Sequence, residues 1–426
     1  MRLRHVHYAI IAASLGTTPL GTTPALAAGD PIKAEIVDNW GTGAERAAVQ
    51  VIQDAFAARG GVLTSTVVSD GIQVMSSTVD RILAGDPPTS TTFTPSSLYF
   101  DLEGKGQLND IDDVATADHW RDVLPPFVTE SISYKGKIYI APISMTIVDW
   151  VYFNKALLAK AGIASLPTDY GDAFFAALDK LKAAGITPLA MGGTPTVYRW
   201  VFESVMIGVG GRDLWLAVWD KKDPAAIRGP AMRRVLDTFK RLRDYSDPGF
   251  SGRSWPAATN MVVAGKAAIN ITGDWGKAEF VAAGQVPGRD FGCQLQGNPP
   301  VFVIHGDMFG FPRSSDPKVI EAQKLLARTV FDPAVQRRYN LVKSGSPART
   351  DLDIAHDPQF DECSKAAAAA YGDGRNVLGS PQWYLSPDGV GSFTDILSDY
   401  FSDPRMTTDQ ALDQFATLLS SDRVQR

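Results

Sequence analysis

Between Lys33 and Phe93 the chain alternates between extended and helical patterns, and this alternation limits the folds open to it more than any other feature. Lys33–Val37 sets polar and apolar residues in turn, the two-residue period of a strand. From Ala44 to Ala58, the residues Ala48, Ile52 and Phe56 recur every fourth position, which predicts a helix with one buried face. Val62–Val68 reads as a second strand and Gln73–Ala84 as a second helix, stopped at Gly85. Beyond the break Asp86-Pro87-Pro88-Thr89, Ser90–Phe93 reads as a third strand. A β-α-β-α-β order implies a parallel or mixed sheet wrapped by helices.

The alternation continues along the chain. Tyr134-Lys135-Gly136-Lys137 predicts a turn between two short strands, the second covering Ile138–Ile143, and Trp150–Asn154 predicts another strand. Helices are expected over Lys155–Ala161 and Tyr170–Ala184, the latter capped by Thr168 or Asp169, with a strand at Thr187–Met191. Helical patterns return at Tyr198–Gly208 and Ala231–Asp244. In Ser251–Phe280 a short helix ends near Ala264, Gly265 supplies a left-handed stop, and the strand Ala267–Thr272 delivers Gly273-Asp274-Trp275 to its end. A strand at Val301–Ile304, helices at Lys318–Phe331 and Pro333–Asn340, and a helical tail over Phe393–Leu419, broken near Pro404, complete the reading. At 426 residues this supports two α/β lobes with the chain passing between them.

The first residues read as an export address: Arg2 and Arg4, the apolar run Tyr8–Leu15, and Pro24-Ala25-Leu26-Ala27, with cleavage expected after Ala27. The apolar run is too short to span a bilayer, and no cysteine follows it, so a soluble exported product is expected. The only two cysteines, Cys293 and Cys363, read as one disulfide in an exported chain, two buried thiols being the alternative. With 45% hydrophobic and 21% charged residues the chain is globular, and its net charge of −6 argues against a nucleic-acid partner.

Catalytic motifs are missing. The mature histidines His119, His305 and His356 are widely scattered, and neither H-E-x-x-H nor C-x-x-C spacing occurs, so no metal site is expected. No G-x-S-x-G elbow is present. Gly41-Thr42-Gly43 follows a strand, but Arg46 stands where a dinucleotide fingerprint needs its third glycine, so no cofactor is expected. What remains is aromatic and charged residues at strand ends and turns. Trp40 follows the first strand, Trp150 begins a later one, Trp275 ends the Ser251–Phe280 unit, and Asp307 and Lys343 fall in glycine-containing turns. An indole face can stack on the apolar C–H face of a pyranose, while Asp and Lys take up its hydroxyls.

Several of these segments carry a resemblance. Phe250-Ser251-Gly252-Arg253-x-Trp255, Gly265-Lys266-Ala267-Ala268 and Gly273-Asp274-Trp275 resemble the sugar-binding proteins of ABC importers, within the cluster 1 extracellular solute-binding family. The likeness is greatest to the periplasmic glucose/mannose-type branch. It extends through Ala84–Thr89, Tyr134–Lys137, Ala141-Pro142, Asn154-Lys155, Gly185–Pro188, Asp307-x-Phe309 and Lys343–Arg349. The resemblance implies a type II periplasmic binding protein fold, two α/β lobes joined by a multi-strand hinge with the ligand cleft between. It implies a signal peptide over residues 1–27, a first lobe from 28–142 and 303–345, and a second from 143–302 and 346–426. It also implies that Trp40 and Trp275 form aromatic walls, that Asp307 and Lys343 bind sugar hydroxyls, and that Glu45 and Gln73 fall at or near positions facing the cleft, while Trp150, at the head of its strand, is a further candidate ligand contact. Cys293 and Cys363 match the position of the family's cysteine pair.

The departures concern the ligand. Where the glucose-type pattern reads H-W-W-T-S-G-G-E, this chain has Asp38 to Glu45, so Asn39 replaces one of two tandem tryptophans. Ser144-Met145-Thr146 replaces an Asn-x-His, Met191-Gly192-Gly193 a His-Gly-Gly, and Gly379-Ser380-Pro381 stands near the place of a late histidine. The expectation is therefore a non-enzymatic, monomeric periplasmic receptor that hands a sugar or sugar derivative to an inner-membrane ABC permease. The other readings are a secreted glycan-active enzyme and a sugar receptor serving chemotaxis alone.

Overall fold

The structure is a computed structural model and describes residues 30–41, 43–68, 71–93, 96–374 and 376–422. The expected export address lies outside these residues. From Ile32 onward the chain forms one compact unit. Among the described residues no helix is long and apolar enough to cross a membrane.

The opening alternation is present as read. Strands β1 (Ile32–Asp38), β2 (Gly61–Val67) and β3 (Ser90–Phe93) are separated by helices Gly43–Ala57 and Gly71–Leu83. β1 pairs in parallel with both β2 and β3. The expected hairpin forms between β4 (Ser133–Tyr134) and β5 (Lys137–Ile138), but its second strand stops early. The Tyr139 N–H turns back to the Ile132 carbonyl, and a separate strand β6 (Ile140–Met145) joins the first sheet. That mixed sheet has the order β13-β6-β12-β3-β1-β2, with β12 (Asp307–Gly310) and β13 (Ser346–Pro347) both antiparallel to β6.

A second sheet has the order β10-β7-β9-β8, from β7 (Trp150–Asn154), β8 (Thr187–Ala190), β9 (Ala267–Thr272) and β10 (Phe291–Leu295). All six residues of β9 are buried, as are all six of β6, so both read as near-continuous apolar runs. Of the two polar residues in β9, Asn270 donates to the Ala190 carbonyl and accepts from Thr259 Oγ1, and Thr272 ends the strand. β11 (Phe302–Ile304) and β14 (Val377–Gly379) make a small parallel pair. The long helix Pro195–Trp215 packs on helices Pro230–Arg241 and Pro387–Ser402 beside the second sheet. Gly265 ends helix Trp255–Val263 at φ +67°, as expected.

Two local readings need correction. The helix expected from Tyr170 begins at Asp172, and neither Thr168 nor Asp169 caps it. The Asp169 carboxylate accepts instead from the Gly171 N–H, closing a turn one step too early to serve the helix. Asp307 and Lys343 do not lie in turns. Asp307 begins β12, and Lys343 is the last residue of helix Pro333–Lys343, whose left-handed stop is Ser344 at φ 73°.

The chain passes from the first sheet to the second through Thr146–Asp149 and returns through the segment before β12. These two passages run against each other. His305 N–H donates to the Thr146 carbonyl, Gly306 N–H to Thr146 Oγ1, and Ile147 bridges Ile304 in antiparallel register.

Candidate functional site

Trp275 is presented by a glycine. β9 ends at Thr272, Gly273 and Asp274 follow, and Trp275 opens helix Trp275–Ala282. A Cβ placed on Gly273 would lie 2.3 to 2.5 Å from three carbons of the Trp275 six-membered ring. Only glycine lets the indole fold back over its own chain. The ring centroid lies 4.6 Å from that of Trp200 and 6.4 Å from that of Trp255. The indole N–H groups of Trp275 and Trp200 are buried and have no hydrogen-bond partner among the described residues. Asp274 fixes the turn to the first passage: it donates its N–H to the Ile147 carbonyl at 3.0 Å, and its carboxylate accepts the Ile147 N–H at 3.2 Å. Burial, then repulsion from Asp307, pushes the Asp274 carboxyl well above the ordinary range.

The helix carrying Trp275 abuts helices Gly43–Ala57 and Pro333–Lys343. There a second group gathers. At the end of β1 the buried Asp38 accepts the Trp40 N–H at 3.0 Å and bonds Ser65, which holds the turn bearing Trp40. Trp40 is itself buried, edge-on to Phe309 at 5.8 Å and tilted against Tyr339 at 6.1 Å. Lys343 Nζ lies 4.6 Å from the centre of the Trp40 ring, 3.4 Å from Glu45 Oε1 and 3.8 Å from Asp307 Oδ2. Tyr339 donates its hydroxyl to Asp307 at 3.0 Å. Burial raises the Asp307 carboxyl, opposed by the Lys343 ammonium and the Tyr339 hydrogen bond.

Of the residues singled out in the sequence, Trp40, Glu45, Asp307 and Lys343 therefore come together, and the helix that Trp275 opens lies against the two helices carrying Glu45 and Lys343. Trp150 is buried at the start of β7, paired with Thr272 at the end of β9, with its ring stacked on Tyr152 at 6.0 Å. Gln73 is exposed in the first turn of helix Gly71–Leu83. Cys293 and Cys363 are joined by a disulfide that ties β10 to helix Glu362–Asp373.

Sequence reading missed a third group. On helix Pro195–Trp215, Arg199 and Glu203 stand one turn apart on either side of Trp200, with Arg199 Nε 3.6 Å from Glu203 Oε1. Glu203 Oε2 is 3.3 Å from His305 Nε2, and His305 Nδ1 is 3.3 Å from Gln382 Nε2. His305, two positions before Asp307, links this group to the one around Lys343. The Arg199–Glu203 spacing was the one available signal, and it is also the spacing of an ordinary surface ion pair.

Residues 41–327 match the bacterial extracellular solute-binding protein family. The chain belongs to that family. Among members, it is 33% identical over 412 residues to a "Probable sugar-binding periplasmic protein" of Brucella suis biovar 1, covering 93% of this chain and 95% of that one. A protein with the same description from Rhizobium meliloti is 36% identical over 334 residues, 78% of this chain and 79% of that one. The solved structure of a chitin oligosaccharide binding protein superposes with a TM-score of 0.79 at 17% identity, covering 92% of this chain and 99% of the other. This family member has the two-lobed type II periplasmic binding protein fold.

Proposed function

We propose that this chain is a periplasmic receptor that closes over a sugar or sugar derivative and delivers it to an ABC permease in the inner membrane, without altering it. The observation that supports the reading is the gathering of Lys343, Glu45 and Asp307 beside the helix that Trp275 opens, with the Trp275 indole packed on Trp200. Such a site offers an apolar wall for a pyranose face and charged partners for its rim. Charge-assisted hydrogen bonds contribute about 1.5–3 kcal/mol each, so a stacked ring with three of them reaches the roughly 8 kcal/mol of a micromolar complex. The naming of the Brucella and Rhizobium relatives as sugar-binding periplasmic proteins supports the ligand class.

The same reading assigns residues 28–142 and 303–345 to one lobe and 143–302 and 346–426 to the other. Thr146–Asp149 and Val303–Gly306 then serve as hinge strands, held together by the Thr146 bonds to His305 and Gly306. Ligand contacts made by both lobes only in the closed form would drive closure. The receptor acts as a monomer after cleavage of its leader behind Ala27. The test is a thermal-shift screen over neutral, acidic and amino sugars, followed by mass spectrometry of the recovered ligand. A raised melting temperature with the sugar recovered intact supports the receptor. No shift with any sugar removes it, and a chemically altered sugar replaces it with an enzyme.

A further inference from the structure

Glu203 is an unusual group to find inside a lobe. It is fully buried, and its one close polar contact on Oε2 is the His305 ring nitrogen at 3.3 Å. Its other oxygen, Oε1, is buried with no hydrogen-bond partner among the described residues, and so is Arg199 Nε. The two atoms are 3.6 Å apart, too far for a hydrogen bond between them. A carboxylate and a guanidinium taken out of water are stable only where further hydrogen bonds satisfy them. Here the missing partners would have to reach both atoms at once. A hydroxyl does this: it donates to Oε1 and accepts from Nε.

The position of the pair says which hydroxyl. Trp200, between Arg199 and Glu203 in sequence, packs on Trp275. His305, which touches Glu203, is joined to Asp307 through Gly306 alone, which turns the chain at φ +87°. The pair therefore stands next to the group around Lys343.

We propose that Arg199 and Glu203, oriented by His305 and Gln382, form a second polar station of the cleft that takes a hydroxyl on the far side of the same sugar ring held by Asp307 and Lys343. The proposal rests on the sugar-receptor reading. Glu203 accepts from that hydroxyl and Arg199 donates to it. The station selects for the presence of that one hydroxyl, because its loss leaves a buried carboxylate oxygen unpaired.

The test is calorimetry on the full mature chain with a panel of neutral mono- and disaccharides, followed by the monodeoxy analogues of the sugar bound best. Glu203→Gln keeps the shape and removes the charge. Its Kd is expected to rise at least about tenfold. One monodeoxy analogue should bind wild type weakly yet lose little more in Glu203→Gln, while the other analogues lose affinity in both proteins additively. A merely structural Glu203 would weaken every analogue alike, and that outcome overturns the proposal, as does an unchanged Kd. If Glu203→Gln does not fold, judged by circular dichroism, Arg199→Lys gives the same comparison, since it keeps the charge but moves the donor. Normal sugar binding without the analogue pattern overturns only the second station. Silence of wild type toward the whole panel overturns the sugar reading and the station with it.

Discussion

The ammonium of Lys343 rests 4.6 Å from the centre of the Trp40 ring, so the indole face read as a sugar platform carries a lysine instead. A cation over an indole gains about 0.5–2 kcal/mol, and Glu45 and Asp307 hold the same ammonium from its other sides. Trp40 therefore acts first as the seat of Lys343. In Lys343→Met two partly buried carboxylates lose their shared cation. Unfolding in urea should show a loss of about 3 kcal/mol, and calorimetry a Kd weakened about a hundredfold or more. Lys343→Arg should recover part of the stability. A Lys343→Met protein as stable as wild type would remove this account of the pair.

Gly273→Ala tests how Trp275 is presented. The added methyl meets the indole at 2.3 Å, so the ring must swing away from its place beside Trp200. We expect a shifted tryptophan emission, a sugar affinity down about tenfold, and a stability cost of about 1–3 kcal/mol for the overpacked turn. Unchanged emission together with unchanged affinity would mean that Trp275 can be seated without the glycine.

Glu103 gives a pH test away from the cleft. It is buried, neither carboxylate oxygen has a hydrogen-bond partner among the described residues, the Tyr99 hydroxyl donating to the Ile132 carbonyl instead, and burial, opposed in part by that hydroxyl, pushes its pKa to about 8. The folded pKa exceeds the unfolded one, so the folded chain holds a proton that the unfolded chain has lost. The resulting stabilisation is complete below the unfolded value of 4.5 and is lost as pH rises through about 8. Glu103→Gln removes this slope. Relative to wild type, the variant should gain up to about 1.4 kcal/mol per pH unit between pH 5 and 8 and then level off. Paired urea titrations across that range measure it, and a difference that does not change with pH contradicts it.

The disulfide should be worth about 4 kcal/mol in the loop-entropy account, since it closes a separation of 70 residues. The double variant Cys293→Ser/Cys363→Ser should unfold at correspondingly lower urea. It should bind sugar more weakly as well, because Asp361, two residues before Cys363, accepts from the buried Lys277 on the Trp275 helix at 2.9 Å. Full binding in the double variant would separate the cross-link from the site.

Regular elements were legible because their signals are local. β3, β7 and β9 have the limits the sequence suggests, set by β-branched runs and by glycine at Gly265. β6 was misjudged because its extent depends on β12 and β13, strands far away in sequence. Within the site, Trp40, Glu45, Asp307, Lys343 and Trp275 were named, but the setting of Asp307 and Lys343 was not. The helix Pro333–Lys343 runs three residues past its visible pattern, to a stop made by a serine. Glu203 and His305 stand 102 residues apart, and nothing in the composition around either announces the other.

Tyr339, Lys343, Asp361 and Gln382 all come late in the chain, after nearly every strand of the two main sheets. The site is therefore closed by the two ends of the sequence, Trp40 and Glu45 near the start meeting Lys343 near the finish. Contacts so distant in sequence form late in folding. A chain cut short before Lys343 would keep Trp40, Glu45 and Asp307 but leave the two carboxylates without the cation they share.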